Sequence, residues 1–343
     1  MSQGKTRVLG SLFEVCIGIT DANEAISHWE HFGYRKGESG SLSSNNALKL
    51  YGVDSGLTSY RLYHQDSDHG LIRLMLWDKP SGLGLNMAPL RTVGVRWSVQ
   101  KTEDMMILLN HAEVLESQNK PINWIPPIIN ANIHGAEQVN PKPFNDPITC
   151  LREFQVFTPL YQQIFTKRYN LELPLYGQIN HKSMFRCSQV LHAGTFNKQK
   201  NLDVFDFYDK ILGLKRMNQA EFKYIPNHIA TRMFDLLPGD SFTMIDFDDV
   251  RSEAPFDKQI SGRLRVFNIN STREEKDMHT KSKPGNLGYS LYTYRTNNAK
   301  EMYNRINDIV GDSITQLTID EFGDKAFSFN APDGYFWTLV ERN

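Results

Sequence analysis

Phe327-Ser328-Phe329-Asn330-Ala331-Pro332-Asp333-Gly334-Tyr335-Phe336-Trp337-Thr338-Leu339-Val340-Glu341-Arg342 reads as strand, tight turn, strand. Aromatic and aliphatic residues fill both arms, as a pleated and largely buried surface requires. Between the arms, Pro332 presets its own φ and Gly334 accepts a left-handed backbone. The arm after the turn carries one small polar residue, Thr338, among apolar neighbours.

Outward from this hairpin, a unit of strand, helix and further strands repeats four times along the 343 residues. The fourth unit opens with a strand over 287–294, then a helix over about 299–310 capped by Asn297 or Asn298. The third opens over 189–196. Its aromatic segment 202–214 reads as a helix closing on Gly213, and strands follow near 232–236, 242–247 and 263–269. The first opens over 12–19. Asp21 is the N-cap of a helix over 22–32 that ends at Gly33, and strands lie over 59–63 and 71–77. The second opens over 92–99, with a helix over about 103–116 and strands over 151–157 and 162–169. Two segments fall outside the pattern. Residues 119–147, rich in Pro and Asn but carrying Trp124, Ile125, Ile128 and Ile129, read as an ordered lid-like insertion, and 171–188 as a linker.

Composition narrows the function classes. Net charge is −1, with no basic run, which gives no electrostatic drive toward nucleic acid or an anionic membrane. No apolar stretch is long enough for a membrane span, and the polar start, 1–9, lacks the apolar region of a signal peptide. Cys16, Cys150 and Cys187 are far apart and form no CxxC pair, so buried, reduced thiols and a cytoplasmic location are expected. No glycine-rich phosphate loop, nucleophile elbow or HExxH spacing occurs.

The closing hairpin, the segment Leu202-Asp203-Val204-Phe205-Asp206-Phe207-Tyr208-Asp209-Lys210-Ile211-Leu212-Gly213-Leu214 and the four repeats resemble the vicinal oxygen chelate superfamily of glyoxalases, bleomycin-resistance proteins and extradiol dioxygenases. The resemblance covers nearly the whole chain. It implies an α+β fold of four βαβββ modules paired into two open cup-shaped mixed sheets. Modules one and two would form an N-terminal half, 1–170, and modules three and four a C-terminal half, 189–343.

In that superfamily, inward-facing positions on the first and last strands of each module supply three or four His, Glu or Gln ligands to a divalent metal. Strand register carries these positions to Glu14, Gly94, His192 and Tyr289 on opening strands, and to Leu74, Phe165, a residue within 263–269 and Thr338 on closing strands. The glutamate that usually follows the closing turn is Thr338 here. Only Glu14 and His192 are of ligand type, and they fall in different halves. The resemblance therefore implies a member lacking most family ligands. No cofactor is expected, with divalent Fe, Mn or Zn as the alternative and His192 its ligand.

The residues then point to a small hydrophobic or aromatic molecule bound in the C-terminal cup. His192, whose ordinary pKa lies near neutrality, is the acid/base candidate, with Tyr289 and Thr338 as polar partners. Phe336 and Tyr292 would form apolar wall, while Trp124 and Glu14 complete the binding set. Glu14 points to the face opposite Phe13 and Val15: in a dry cup it is a buried carboxylate that needs a cation, with Arg61, Arg73 and Arg96 the candidates, and in a wet cup an ordinary lining residue. A glyoxalase-like lyase, isomerase or cyclase step with one proton transfer is the leading expectation. A metal-dependent extradiol dioxygenase and a non-catalytic antibiotic-type binding protein are the alternatives. The partner is a small molecule, not nucleic acid or membrane, and the chain is expected as a monomer or homodimer.

Overall fold

The second module shows how a strand hands over to its helix. The strand Arg96–Thr102 leads through Asp104, whose carboxylate accepts from the Met106 and Ile107 amides and so satisfies two otherwise unpaired helix donors. In the computed structural model, which describes residues 7–131, 150–226, 228–253 and 258–342, the same plan recurs four times. The first module holds β1 (Val8–Ile19), α1 (Ala22–His31), β2 (Tyr34–Leu42), α2 (Ser44–Tyr51), β3 (Leu57–His64) and β4 (Leu71–Trp77). The second holds β5 (Arg96–Thr102), α3 (Met105–Ser117), β6 (Asn123–Ala131), β7 (Cys150–Phe157) and β8 (Gln162–Tyr169). The third holds β9 (Cys187–Asn197), β10 (Lys215–Lys223), α4 (Ile229–Met233), β11 (Ser241–Asp248) and β12 (Arg263–Asn270). The fourth holds β13 (Gly288–Thr296), α5 (Ala299–Val310), β14 (Thr318–Ile319), β15 (Lys325–Asn330) and β16 (Phe336–Glu341). Among the described residues no helix is long and apolar enough to cross a membrane.

Three local expectations need correction. The aromatic segment after β9 is a 3₁₀ turn, Leu202–Phe205, and a π turn, Phe207–Ile211, rather than one α-helix, although Gly213 does close it at φ +81°. The strand expected over 232–236 is instead the end of α4, which His228 caps, and the turn that follows it; the missing strand is the polar, largely exposed edge strand β10. The insertion expected over 119–147 begins as edge strand β6, paired with β7. Its remainder from 132 lies outside the described residues.

The modules do form two eight-stranded mixed sheets, ordered β14-β15-β16-β13-β1-β4-β3-β2 and β10-β11-β12-β9-β5-β8-β7-β6. Module one therefore pairs with module four, and module two with module three. No cup is built from the C-terminal half alone. The cause is visible in the crossovers. Each half changes sheet along a segment, 78–95 and 271–287, and the two segments run beside each other through the bridges Gly82–Asn286 and Val93–Asp277. The approach is close enough that a Cβ on Gly84 would lie 1.9 Å from the Leu287 carbonyl, and one on Gly18 2.0 Å from that of Asn286. Residues of the linker 171–188 touch both halves: the Phe185 amide donates to the His31 carbonyl, and Tyr176 packs with Leu191.

The inward face of the first sheet is filled. Helix α2 lies over it with Ala47, Leu50 and Tyr51 buried, and Glu321 reaches in from the loop before β15. Between them Glu14 is fully buried. Its Oε1 accepts from Arg61 Nε at 2.6 Å, and its Oε2 from Arg73 Nη2 at 2.5 Å and Thr293 Oγ1 at 2.8 Å. Arg61 also pairs with Glu38, and Arg73 donates to the Tyr51 hydroxyl at 2.9 Å and to Glu321 at 3.3 Å. Burial raises the Glu14 pKa, but the two guanidiniums outweigh it and hold the carboxyl at about 2.

Removing the carboxylate would take from two buried cations the anion they share, leaving Arg61 with Glu38 and Arg73 with Glu321, so Glu14→Ala should lose about 3 kcal/mol of unfolding free energy in urea. Since the folded-state pKa is depressed from 4.5 to about 2, this contribution is complete above pH 4.5 and is lost as the pH falls through 2. The wild-type stability profile should carry that acid slope, and Glu14→Gln should remove it; an unchanged slope would show the carboxyl does not titrate there.

Candidate functional site

The inward face of the second sheet is open, and it encloses a cavity of about 720 Å³. That volume lies within the range of roughly 300–1,000 Å³ usual for small-molecule sites. Its lining follows from strand alternation. On β12, Arg263, Arg265 and Phe267 face inward while Leu264 and Val266 enter the core. On β11 the inward residues are Phe242, Met244 and Asp246. Antiparallel register sets Asp246 beside Arg265 and Met244 beside Phe267. The parallel neighbour β9 sets His192 level with Arg263 and Gly194 level with Arg265. The cavity therefore has two chemically distinct ends.

At the apolar end, aromatic rings meet stacked or tilted. Phe234 lies 4.5 Å from Phe267 between ring centroids, Phe242 5.3 Å from Phe267, and Phe222 stacks on Phe242 at 5.2 Å. Trp97 on β5 joins them, 5.7 Å from Phe267. It fits because the opposing residue is glycine: a Cβ on Gly194 would lie 2.0 Å from Trp97 Cε2.

At the polar end, Asp246 accepts from Arg265 Nε at 2.7 Å and from Arg263 Nη1 at 2.9 Å, and Asp248 takes two further donors of Arg263. Arg168, from β8, forms no ion pair within 4 Å among the described residues, and its Nη1 is buried without a hydrogen-bond partner. Arg168 and Arg263 stand over the Tyr176 ring at 5.1 and 5.6 Å. Burial pushes the Glu153 carboxyl above its ordinary pKa, with Arg265 and Arg168 opposing.

His192, 7% exposed, sits among these groups with its Nδ1 3.5 Å from the Tyr176 hydroxyl. Burial first, then the charges of Arg265, Arg263 and Arg168, hold its pKa well below 6.5. The imidazole is therefore neutral at physiological pH, and available to accept or relay a proton.

The other residues singled out from the sequence do not join His192. Tyr289 lies in the seam between the sheets, its hydroxyl 2.7 Å from Ser98 Oγ. Strand alternation would place it on the face of Leu291 and Thr293. A bulge at Ser290, where Cys16 pairs with Leu291 and Ile17 with Tyr289, turns it onto the face of Tyr292. The Tyr292 hydroxyl lies 2.9 Å from the carbonyls of Trp97 and Gly194, also in the seam. Thr338 and Phe336 belong to the filled first cup. Thr338 Oγ1 is 2.8 Å from Ser328 Oγ, and the Phe336 carbonyl accepts from Arg96 Nη2 at 2.7 Å. Glu14 is bound up in its arginine pair. Trp124 is on edge strand β6 against Phe154, outside the cavity lining. Leu74 and Phe165 face the core, one residue out of register with the inward Arg73 and Thr166.

Sequence reasoning passed over Arg168, Arg263, Arg265, Asp246 and Tyr176. A period-two signal was present: Asp246-Phe247-Asp248 and Arg263-Leu264-Arg265 put opposite charges on matching faces of two neighbouring strands.

Neither cup fits the metal that the resemblance implies. The inward strand positions of the second cup bring His192 together with three guanidiniums, which are protonated and cannot ligate, and of the two carboxylates beside them Asp246 is committed to Arg263 and Arg265 and Glu153 is left with one imidazole, too few for an ion. In the first cup both Glu14 oxygens are committed to arginines. Among the described residues no group of three or more His, Cys, Asp or Glu side chains is placed to hold an ion.

No family model matches the chain, and no curated protein matches it in sequence. Solved structures do. Glyoxalase I from Zea mays superposes with a TM-score of 0.53 at 14% identity, over 96% of this chain and 92% of that one. A putative dioxygenase from Bacillus subtilis subsp. subtilis str. 168 superposes with a TM-score of 0.54 at 12% identity, over 98% and 86%. The chain has the vicinal oxygen chelate fold of these proteins, built of repeated modules. Identities this low establish the fold alone.

If Trp97 occupies the space a side chain would take at Gly194, Gly194→Ala should overpack the cup floor and cost about 1–3 kcal/mol. Thermal unfolding with tryptophan emission as the readout tests this, and an unchanged midpoint would contradict the packing.

Proposed function

We propose that this protein binds a small, largely apolar molecule in the cup of modules two and three, and that His192 moves a proton at the bound molecule. The carrying observation is the 720 Å³ cavity with an aromatic end and a neutral histidine at its polar end. The aromatic end would hold the body of the ligand by burial and ring contact. Orientation would come from Tyr176 and the arginines. A neutral imidazole beside a ligand C–H or O–H that is acidified by a neighbouring carbonyl acts as general base, then returns the proton from the same ring. The resulting reaction class is a proton-transfer isomerisation or lyase step, in keeping with the glyoxalase I likeness in fold, and no step is routed through a metal. The first cup, filled by α2 and by Glu14 with its arginines, would serve as scaffold.

Calorimetry with a panel of neutral and anionic aromatic compounds tests the binding. At least one should bind with 1:1 stoichiometry to the wild type and be lost in Ala230→Trp, which places an indole in the cavity. If no compound binds, or if Ala230→Trp binds as well as the wild type, this reading is wrong. For any compound that binds, deuterium uptake from D₂O followed by NMR should fall at least about a hundredfold in His192→Asn, with affinity changed by less than about threefold.

A further inference from the structure

The polar end of the cavity is not electrically closed. Arg263 and Arg265 are matched by Asp246 and Asp248, two cations against two anions, all within hydrogen-bond distance. Arg168 is a third cation with no such partner among the described residues, and the same holds for any hydrogen bond to its Nη1. Arg168 is half-buried, and its Nη1 has given up water without a compensating contact, which costs free energy until a partner arrives. Its neighbours do not relieve it. His192 is neutral and Tyr176 carries a phenol held protonated by burial, while Glu153, the remaining acid of the lining, makes no ion pair with Arg168 within 4 Å.

The placement is also specific. Arg168 continues β8 beyond Ile164 and Thr166, so all three point into the same cavity. It stands over the Tyr176 ring, which also lies under Arg263 and beside His192. The ring thus acts as a platform that orients the guanidinium. These residues line the same cavity as the rings of Phe234, Phe242, Phe267 and Trp97.

Resting on the binding reading above, we propose that the ligand of this cup is an amphipathic monoanion, a carboxylate on an aromatic or otherwise flat apolar body, whose head is held by Arg168. A guanidinium offers a planar pair of donors that matches a carboxylate. One uncompensated cation calls for one negative charge, which favours a carboxylate over a phosphate dianion. The bound anion would also offset the arginine charges that add to burial in keeping His192 unprotonated. The ligand would thereby strengthen the base that acts on it.

The experiment compares naphthalene-2-carboxylate with 2-naphthylmethanol, which has the same body and a neutral head, by calorimetry on the full chain at pH 7. The carboxylate should bind at least about tenfold tighter, as a charge-assisted hydrogen bond predicts. Arg168→Met should erase that difference while leaving the alcohol within about twofold. Arg168→Lys should restore part of it, and thermal melts confirm that each variant is folded. Equal affinity of the two probes for the wild-type protein overturns this inference while leaving the binding reading intact, and needs no variant. If neither probe binds, the binding reading falls and this inference with it. A carboxylate preference that survives in folded Arg168→Met also overturns it.

Discussion

The antiparallel pairing of β1 with β13 is the contact on which the rest of the molecule depends. It joins the first module to the last, Val15 opposite Tyr292 and Glu14 opposite Thr293. Once these strands are neighbours, both crossovers must leave the same sheet side by side, and the middle modules have only each other as partners. The β5–β9 pairing, with Val99 opposite His192, is the result. The seam is then sealed by hydroxyls that reach from one sheet to the backbone of the other. Tyr292 reaches the carbonyls of Trp97 and Gly194, and Tyr335 those of Val95 and Phe196. In a buried seam these bonds satisfy groups that would otherwise have no partner.

Two cups built on one plan have opposite electrostatic outcomes. In the first, a carboxylate stands between two arginines, each of them shared with a second acid, and a helix closes the mouth. Each cation has acid partners, space is filled, and the arrangement is structural. In the second, an imidazole occupies the corresponding place on its strand, the arginines outnumber their firmly bound acids, and the space in front of them is empty of side chains. The difference lies in what faces the guanidiniums, not in the backbone.

What could be read from the sequence was what is local. The closing hairpin, the opening strands and the caps of α1 and α5 are encoded within a dozen residues, and the four-fold repeat follows from them. The partner of each module was not legible, because it depends on contacts between strands far apart in the chain, such as Val15 with Tyr292, and no local pattern distinguishes the two nestings. Edge strands β10 and β6 were obscured for a different reason: an exposed strand need not alternate, and β10 is polar throughout most of its length. At the site, the face of His192 followed from simple alternation. Tyr289 did not, since a single extra residue at Ser290 reverses the pattern. The arginines escaped notice because residues were weighed as metal ligands, and arginine is never one.

The nested pairing of modules also sets an order on synthesis. β9 to β12 can complete the inner sheet as soon as they emerge, because β5 to β8 are already present. β1 to β4 must wait: β4 ends at Trp77 and β13 begins at Gly288. At about 5–20 residues per second, that interval is of the order of ten to forty seconds on the ribosome. Throughout it, one side of β1 is an open strand edge, flanked by the apolar residues Leu12, Val15 and Ile17. A truncated product lacking the last module would leave that edge open permanently, and it would be sticky in proportion to how well the complete protein buries it.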